Sequence, residues 1–115
     1  MAGFTNLRAA NNERQKEWGV GIDAGTLFRA TELGGEVGEA LNEVKKLERE
    51  RLGIQGSRSS VEKLAEELAD VIICTDLVAK DYGINLAEAV RDKFNKTSKK
   101  VGLQTRMVAG IHGII

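Results

Sequence analysis

The sequence has 115 residues, with 17 acidic and 17 basic side chains and hence no net charge at neutral pH. This length predicts one domain, and zero net charge argues against a nucleic-acid partner bound by bulk electrostatics. One cysteine and one histidine exclude a disulfide framework and a multi-cysteine zinc site, and argue against Ser-His-Asp catalysis.

Helices are favoured throughout, because proline is absent and no segment alternates like a strand. The polar segment from about Asn6 to Trp18 predicts a first helix, closed by glycine. A long second helix is expected to run to about Arg51, with Asp23 or Thr26 as its N-cap.

The second half of the chain predicts two more helices, after a loop rich in glycine and serine at residues 53–60. Ser59, with a glutamate three residues later, forms a capping box that opens a third helix running to about Tyr82. Asn85 repeats the pattern and opens a fourth helix, which ends near Lys100 with a glycine behind it.

These elements predict a single all-α domain over residues 1–115, with a core at about 24–102 and an apolar tail at 103–115. The tail either packs on a partner chain or is loose. Such a short chain buries a modest share of its surface, so oligomerisation is expected. No signal peptide is recognisable and no apolar run approaches about 20 residues, so we expect a cytoplasmic protein without a membrane partner.

Acidic side chains form a narrow stripe along the second helix, about 60° wide at about 100° per residue. Its members are Glu32, Glu36, Glu39 and Glu43. The stripe borders the apolar positions expected in the core, which are Ala30, Leu33, Val37, Ala40, Leu41 and Val44. Glycines at 34, 35 and 38 allow close approach of a backbone or ligand, so the stripe is expected to line an enclosed space.

A second acidic pair lies on the third helix, where Glu67 and Asp70 share one face with the apolar Cys74. A carboxylate beside an apolar face is costly to keep ionised unless a cation neutralises it. Carboxylates without histidine or thiolate favour Mg²⁺, or Mn²⁺, over zinc, and the lack of Glu-x-x-His pairs argues against iron. Either acidic face taken alone could be ordinary solvated surface; the two together favour a metal site.

Three segments stand out in chain order: GEVGEA at residues 35–40, EELADVI at 66–72 and KFNKTSK at 93–99. Together they resemble the MazG-like all-α nucleoside triphosphate pyrophosphohydrolases, and the resemblance covers about residues 24–106. It implies a four-helix, MazG-like bundle completed by homo-oligomerisation as a dimer or tetramer. It also implies Mg²⁺-dependent cleavage of an NTP or dNTP to the monophosphate and pyrophosphate.

The metal ligands that the resemblance implies are Glu36, Glu39, Glu67 and Asp70. Many members begin the first motif with two glutamates, whereas Gly35 precedes Glu36 here. Glu32 or Glu43 is a candidate for the missing charge. The departure leaves open the number of ions and the substrate subclass.

In the reaction so implied, metal-activated water attacks the α-phosphorus, with Glu39 as candidate base. Lys93 matches the family's basic position and would stabilise charge on the phosphates. Further candidate substrate contacts are Lys46, Asn95, Thr97 and Trp18. Each also suits a structural role: Lys46 as a partner of Glu43, Trp18 in a subunit interface, and the other two as plain surface.

Two other functions remain open from the sequence. One is phosphoribosyl-ATP pyrophosphohydrolase activity, which shares the metal chemistry. The other is a non-catalytic helical oligomerisation module whose acidic face docks a basic partner.

Overall fold

In the computed structural model, residues 3–19 and 25–110 are described, and within these ranges the chain forms four α-helices and no strand. Their bounds are α1 Leu7–Trp18, α2 Gly25–Arg51, α3 Val61–Asp81 and α4 Leu86–Lys100. The predicted all-α, four-helix fold is confirmed. None of these helices is both long and apolar enough to cross a membrane.

Side-chain caps begin three of the helices. Asn6 and Asn85 each accept a hydrogen bond from the backbone N–H three residues on, at 3.1 Å. The predicted cap of α3 is wrong by one residue: Ser60 accepts the Lys63 N–H at 3.1 Å, because the Ser59 hydroxyl donates to Glu43 instead. For α2, Asp23 lies outside the described residues and Thr26 lies inside the helix.

The C-terminal ends of α2, α3 and α4 share one design. A glycine with φ between 66° and 76° follows each helix, in a conformation that other residues rarely adopt; these are Gly53, Gly83 and Gly102. The next residue then donates its N–H to a carbonyl five residues back, at 2.8–3.0 Å. These are Schellman motifs, and they explain why glycine marks the helix ends in the sequence.

The chain divides into two compact units. The first, here called the hairpin unit, comprises residues 22–78 and contains α2 and most of α3. Its two helices run antiparallel. Glu43, in the C-terminal half of α2, contacts Ser59 just before α3 begins, whereas Glu32, in the N-terminal half of α2, contacts Cys74 in the C-terminal half of α3. This arrangement brings the acidic faces of the two helices together.

The apolar side chains of the hairpin unit are only partly covered. Ala40, Cys74 and Leu77 are buried, as expected for Cys74. Burial, followed by the charge of Glu32, raises the pKa of the Cys74 thiol to about 11, so it stays protonated and donates to Glu32 Oε1 at 3.6 Å.

The predicted core face of α2 is largely wrong for the single chain. Ala40 alone among its six positions is buried and Leu33 is half-buried, whereas Val37, Leu41 and Val44 are 38–63 % exposed and Ala30 is exposed too. A Cβ placed at Gly34, Gly35 or Gly38 would meet no atom of the described residues within 4 Å, so no other described segment closely approaches α2 at these glycines.

The second compact unit, here called the terminal unit, joins residues 1–21 and 79–115. Arg8 of α1 donates to the carbonyl of Ile84 at 2.7 Å. Asn95 of α4 pairs with the backbone of Met107 through both its amide nitrogen, at 2.8 Å, and its oxygen, at 2.7 Å. The tail is therefore attached to α4 through Met107, although residues 103–110 are exposed and form no helix.

Candidate metal centre

Three carboxylates of the hairpin unit converge: Glu36 from α2, with Glu67 and Asp70 from α3. Each offers an oxygen, and the three oxygens lie within 4.8 Å of one another. The spacing of three residues places Glu67 and Asp70 on one face of α3, and the antiparallel arrangement of the helices brings Glu36 opposite them. We call this group the carboxylate cluster.

Two oxygens in the carboxylate cluster have no hydrogen-bond partner among the described residues. They are Glu36 Oε2 and Glu67 Oε2, and both are buried. A buried polar atom without a partner costs free energy, more so when its group is charged. Two such oxygens in one cluster fit the coordination of a cation.

The surroundings of Glu36 in the cluster disfavour its negative charge. Burial, followed by the charges of Glu39, Asp70 and Glu67 and a hydrogen bond with Glu39, raises the pKa of Glu36 above its ordinary value. A bound divalent cation would reverse this effect, because it favours the ionised carboxylate.

Lys63 brings one ammonium group to the edge of the cluster. Its Nζ lies 3.5 Å from Glu67 Oε1, while Lys63 itself is about half exposed to solvent. Solvent screening weakens such a pair, and the contact leaves Glu67 Oε2 without a partner among the residues that the structure describes. The sequence analysis missed Lys63, although a lysine four residues before a glutamate on one helix predicts this contact.

The family model that matches the chain is that of the MazG-like family, over residues 36–108. The chain belongs to the MazG-like family. The match spans well over half of the chain, begins at Glu36 and includes all of α3 and α4. No curated protein and no solved structure is significantly similar.

The other predicted ligands of this MazG-like chain lie around the cluster. Glu39 is exposed and lies outside the group of three, and its charge contributes to the raised pKa of Glu36. Neither Glu32 nor Glu43 belongs to the group of three found among the described residues, and their role in supplying the charge missing at Gly35 stays a prediction. Glu32 accepts from Cys74 and lies 4.0 Å from Arg29.

Glu43 is buried and satisfied by its own chain. Its carboxylate accepts from the Ser59 hydroxyl and, at 3.3 Å, from Lys46 Nζ. The hydrogen bond from Ser59, followed by Lys46, lowers the pKa of Glu43. Lys46 therefore has the structural partner considered in the sequence analysis, and its role toward substrate stays a prediction.

The remaining predicted substrate contacts belong to the terminal unit, and their role toward substrate also stays a prediction. Lys93 and Thr97 are exposed on α4, whereas the Asn95 amide is occupied by Met107. Trp18 is 70 % exposed, and the guanidinium of Arg14 lies 5.0 Å from the centre of its ring. In the single chain Trp18 is thus a surface residue, held by a cation–π contact.

Proposed function

We propose that this MazG-like protein is a metal-dependent nucleoside triphosphate pyrophosphohydrolase that cleaves an NTP or dNTP to the monophosphate and pyrophosphate. The MazG-like fold is of the nucleotide pyrophosphohydrolase type. The observation that carries the proposal is the carboxylate cluster, where two buried oxygens have no partner in the described part of the chain.

Mg²⁺ is the cation we propose, with Mn²⁺ as an alternative, because every donor is a hard carboxylate oxygen. Glu36, Glu67 and Asp70 would hold it, with Glu39 beside them. When bound, the cation would supply charge stabilisation for the triphosphate and an acidified water as nucleophile. The protein's part is to keep these carboxylates together and ionised.

Glu39 is our candidate for the general base, because it is exposed, next to Glu36 and outside the group of three. Lys93 is proposed to stabilise charge on the phosphates. Lys46, Thr97 and Trp18 remain candidate substrate contacts. Asn95 would contact substrate only after releasing the backbone of Met107.

A homodimer or homotetramer is part of the proposal. The uncovered face of α2, with Val37, Leu41 and Val44, supports it, since a contiguous apolar face is commonly buried between chains. The molar mass in solution, measured by light scattering, tests this point: a monomer would contradict it. The expected setting is cytoplasmic, with a nucleotide substrate and neither nucleic acid nor membrane as partner.

Product analysis tests the reaction directly. The purified protein is incubated with each NTP and dNTP, with Mg²⁺ or with EDTA. Monophosphate and pyrophosphate formed only with Mg²⁺ would support the proposal, and the preferred nucleotide would define the subclass. Diphosphate and phosphate would contradict the proposed cleavage position.

Inactivity toward every nucleotide would contradict the proposed substrate. Phosphoribosyl-ATP would then be the next substrate, since hydrolysis of it alone would assign the chain to that narrower activity. A protein inactive toward both, whose melting temperature Mg²⁺ does not change, would be a helical docking module instead.

A further inference from the structure

The loop that connects α2 to α3 forms a hydrogen bond back to α2 near the point where the loop ends and α3 begins. The loop at residues 52–58 is exposed, whereas Ser59 is half-buried and donates its hydroxyl proton to the buried carboxylate of Glu43. Lys46 Nζ also donates a hydrogen bond to Glu43 Oε1, at 3.3 Å. We call the contact between Glu43 and Ser59 the latch.

Two arginines shape the loop but do not replace the latch. Arg49 lies across Gly56 and reaches the carbonyl of Ser57 at 3.5 Å. Arg58 donates to the carbonyl of Ile54 at 2.9 Å. Both contacts are exposed and join the loop to itself or to the last turn of α2, whereas the latch joins it to α2 two turns further back.

From the latch, a series of contacts leads to the carboxylate cluster. Ser60, next to Ser59, caps α3 by accepting the Lys63 N–H at 3.1 Å. The ammonium of Lys63 then lies 3.5 Å from Glu67 Oε1. On α2, Glu43 lies seven residues from Glu36, two turns along the same face.

We propose that Glu43 and Ser59 are a positioning pair that fixes the register of α3 against α2, so that Glu67 and Asp70 stay opposite Glu36. This inference rests on the proposed metal binding at the cluster. Three carboxylates within 4.8 Å repel one another without a cation and push the two helices apart. A one-residue slip of α3 would turn its carboxylates by about 100° away from Glu36.

The latch is suited to resist this repulsion. A part-buried, charge-assisted hydrogen bond is stronger and more directional than the exposed ion pairs nearby. It lies where α3 begins, and helix ends are the parts that fray most readily. Neither residue would touch the cation, so both would act through Glu67 and Asp70.

Mn²⁺ affinity, measured by isothermal titration calorimetry, tests the pair without requiring turnover. The variants are Ser59→Ala, Glu43→Ala and the double variant, with Ser59→Thr as the conservative replacement. Glu48→Gln is the matched control, since it removes an exposed ion pair with Arg51 on the same helix. Circular dichroism first verifies that each variant is folded at the titration temperature.

We expect Ser59→Ala and Glu43→Ala each to weaken Mn²⁺ binding about 10-fold, the scale for residues that position metal ligands. The double variant should be no weaker than the poorer single variant, since the two act as one contact. Ser59→Thr keeps the hydroxyl and should restore affinity, and Glu48→Gln should leave it unchanged.

Different outcomes contradict the proposed metal site and the proposed role of the latch. If Glu36→Gln abolishes Mn²⁺ binding but Ser59→Ala binds as tightly as the unaltered protein, the positioning role is overturned and the metal site stands. A lower melting temperature with unchanged affinity would have the same meaning. If the unaltered protein binds no Mn²⁺, the proposed metal site fails, and the positioning role fails with it.

Discussion

Glu36 and Glu43 lie two turns apart on the same face of α2, yet their surroundings are opposite. Glu43 is buried against a hydroxyl and an ammonium from its own chain, and its pKa is lowered. Glu36 is half-buried against further carboxylates, and its pKa is raised. Burial of a negative charge is therefore not what marks a site.

The distinguishing feature is whether the chain supplies the neutralising partner. Glu43 has its neutralising partners within its own chain, so its charge needs no external cation. Within residues 3–19 and 25–110, the carboxylate cluster has a screened lysine at its edge and two oxygens without a partner, which suits an external cation. This contrast predicts how each carboxylate responds to replacement by the matching amide.

The largest difference is expected in catalysis. Asp70→Asn should lower the rate of pyrophosphate release on the order of 1000-fold, the loss typical of removing a group that stabilises transition-state charge. Glu43→Gln should cost less than about 10-fold, because its amide oxygen still accepts from Ser59. Steady-state rates at saturating Mg²⁺ measure both effects, with Glu48→Gln as the control. An Asp70→Asn rate within 10-fold of that of the unaltered protein would contradict the assignment of Asp70 to the metal site.

Stabilisation by Mg²⁺ should separate the same residues. A cation at 100 times its dissociation constant stabilises a folded protein by about 2.7 kcal/mol. Urea unfolding with Mg²⁺ and with EDTA should show such a gain for the unaltered protein and for Glu43→Gln, but none for Asp70→Asn. An equal gain in Asp70→Asn would place the cation elsewhere.

Without metal, the two glutamates should change stability in opposite directions. Glu36→Gln removes one of several mutually repelling charges and should raise the melting temperature in EDTA. Glu43→Gln weakens the bonds with Ser59 and Lys46 and should lower it. Thermal unfolding followed by circular dichroism compares the two variants. A lower melting temperature in both would mean that the chain itself also neutralises the charges of the cluster carboxylates.

Local chemistry made much of this structure predictable. Helix ends depend on a few neighbouring residues, so Asn85 and Gly83 predicted a turn and two helix bounds closely. Helical periodicity alone placed Glu67 and Asp70 on one face of α3. The sequence could not place Glu36 against that face, because this depends on how α3 packs on α2.

Long-range contacts account for the failures. Ser59 and Ser60 are equivalent as local caps, and a glutamate sixteen residues away decides between them. The amide of Asn95 is bonded at both its nitrogen and its oxygen to Met107, twelve residues on, a contact that its own helix does not reveal; its role toward substrate stays a prediction. The apolar face of α2 follows a regular helical pattern. Such a pattern predicts that the face is apolar, but it does not predict whether the same chain or another one packs against that face.

The pH dependence of stability isolates the structural glutamate. The pKa of Glu43 lies below its ordinary value of 4.5 in the folded chain, so the folded state binds fewer protons there than the unfolded state. Its contribution is therefore complete above pH 4.5 and is lost as the pH falls through the folded pKa. The stability difference between Glu43→Gln and the unaltered protein should be largest near pH 7 and should shrink toward pH 3, as urea unfolding in EDTA at several pH values would show. A difference independent of pH would mean that Glu43 acts through packing, and that its charge is not what Ser59 and Lys46 stabilise.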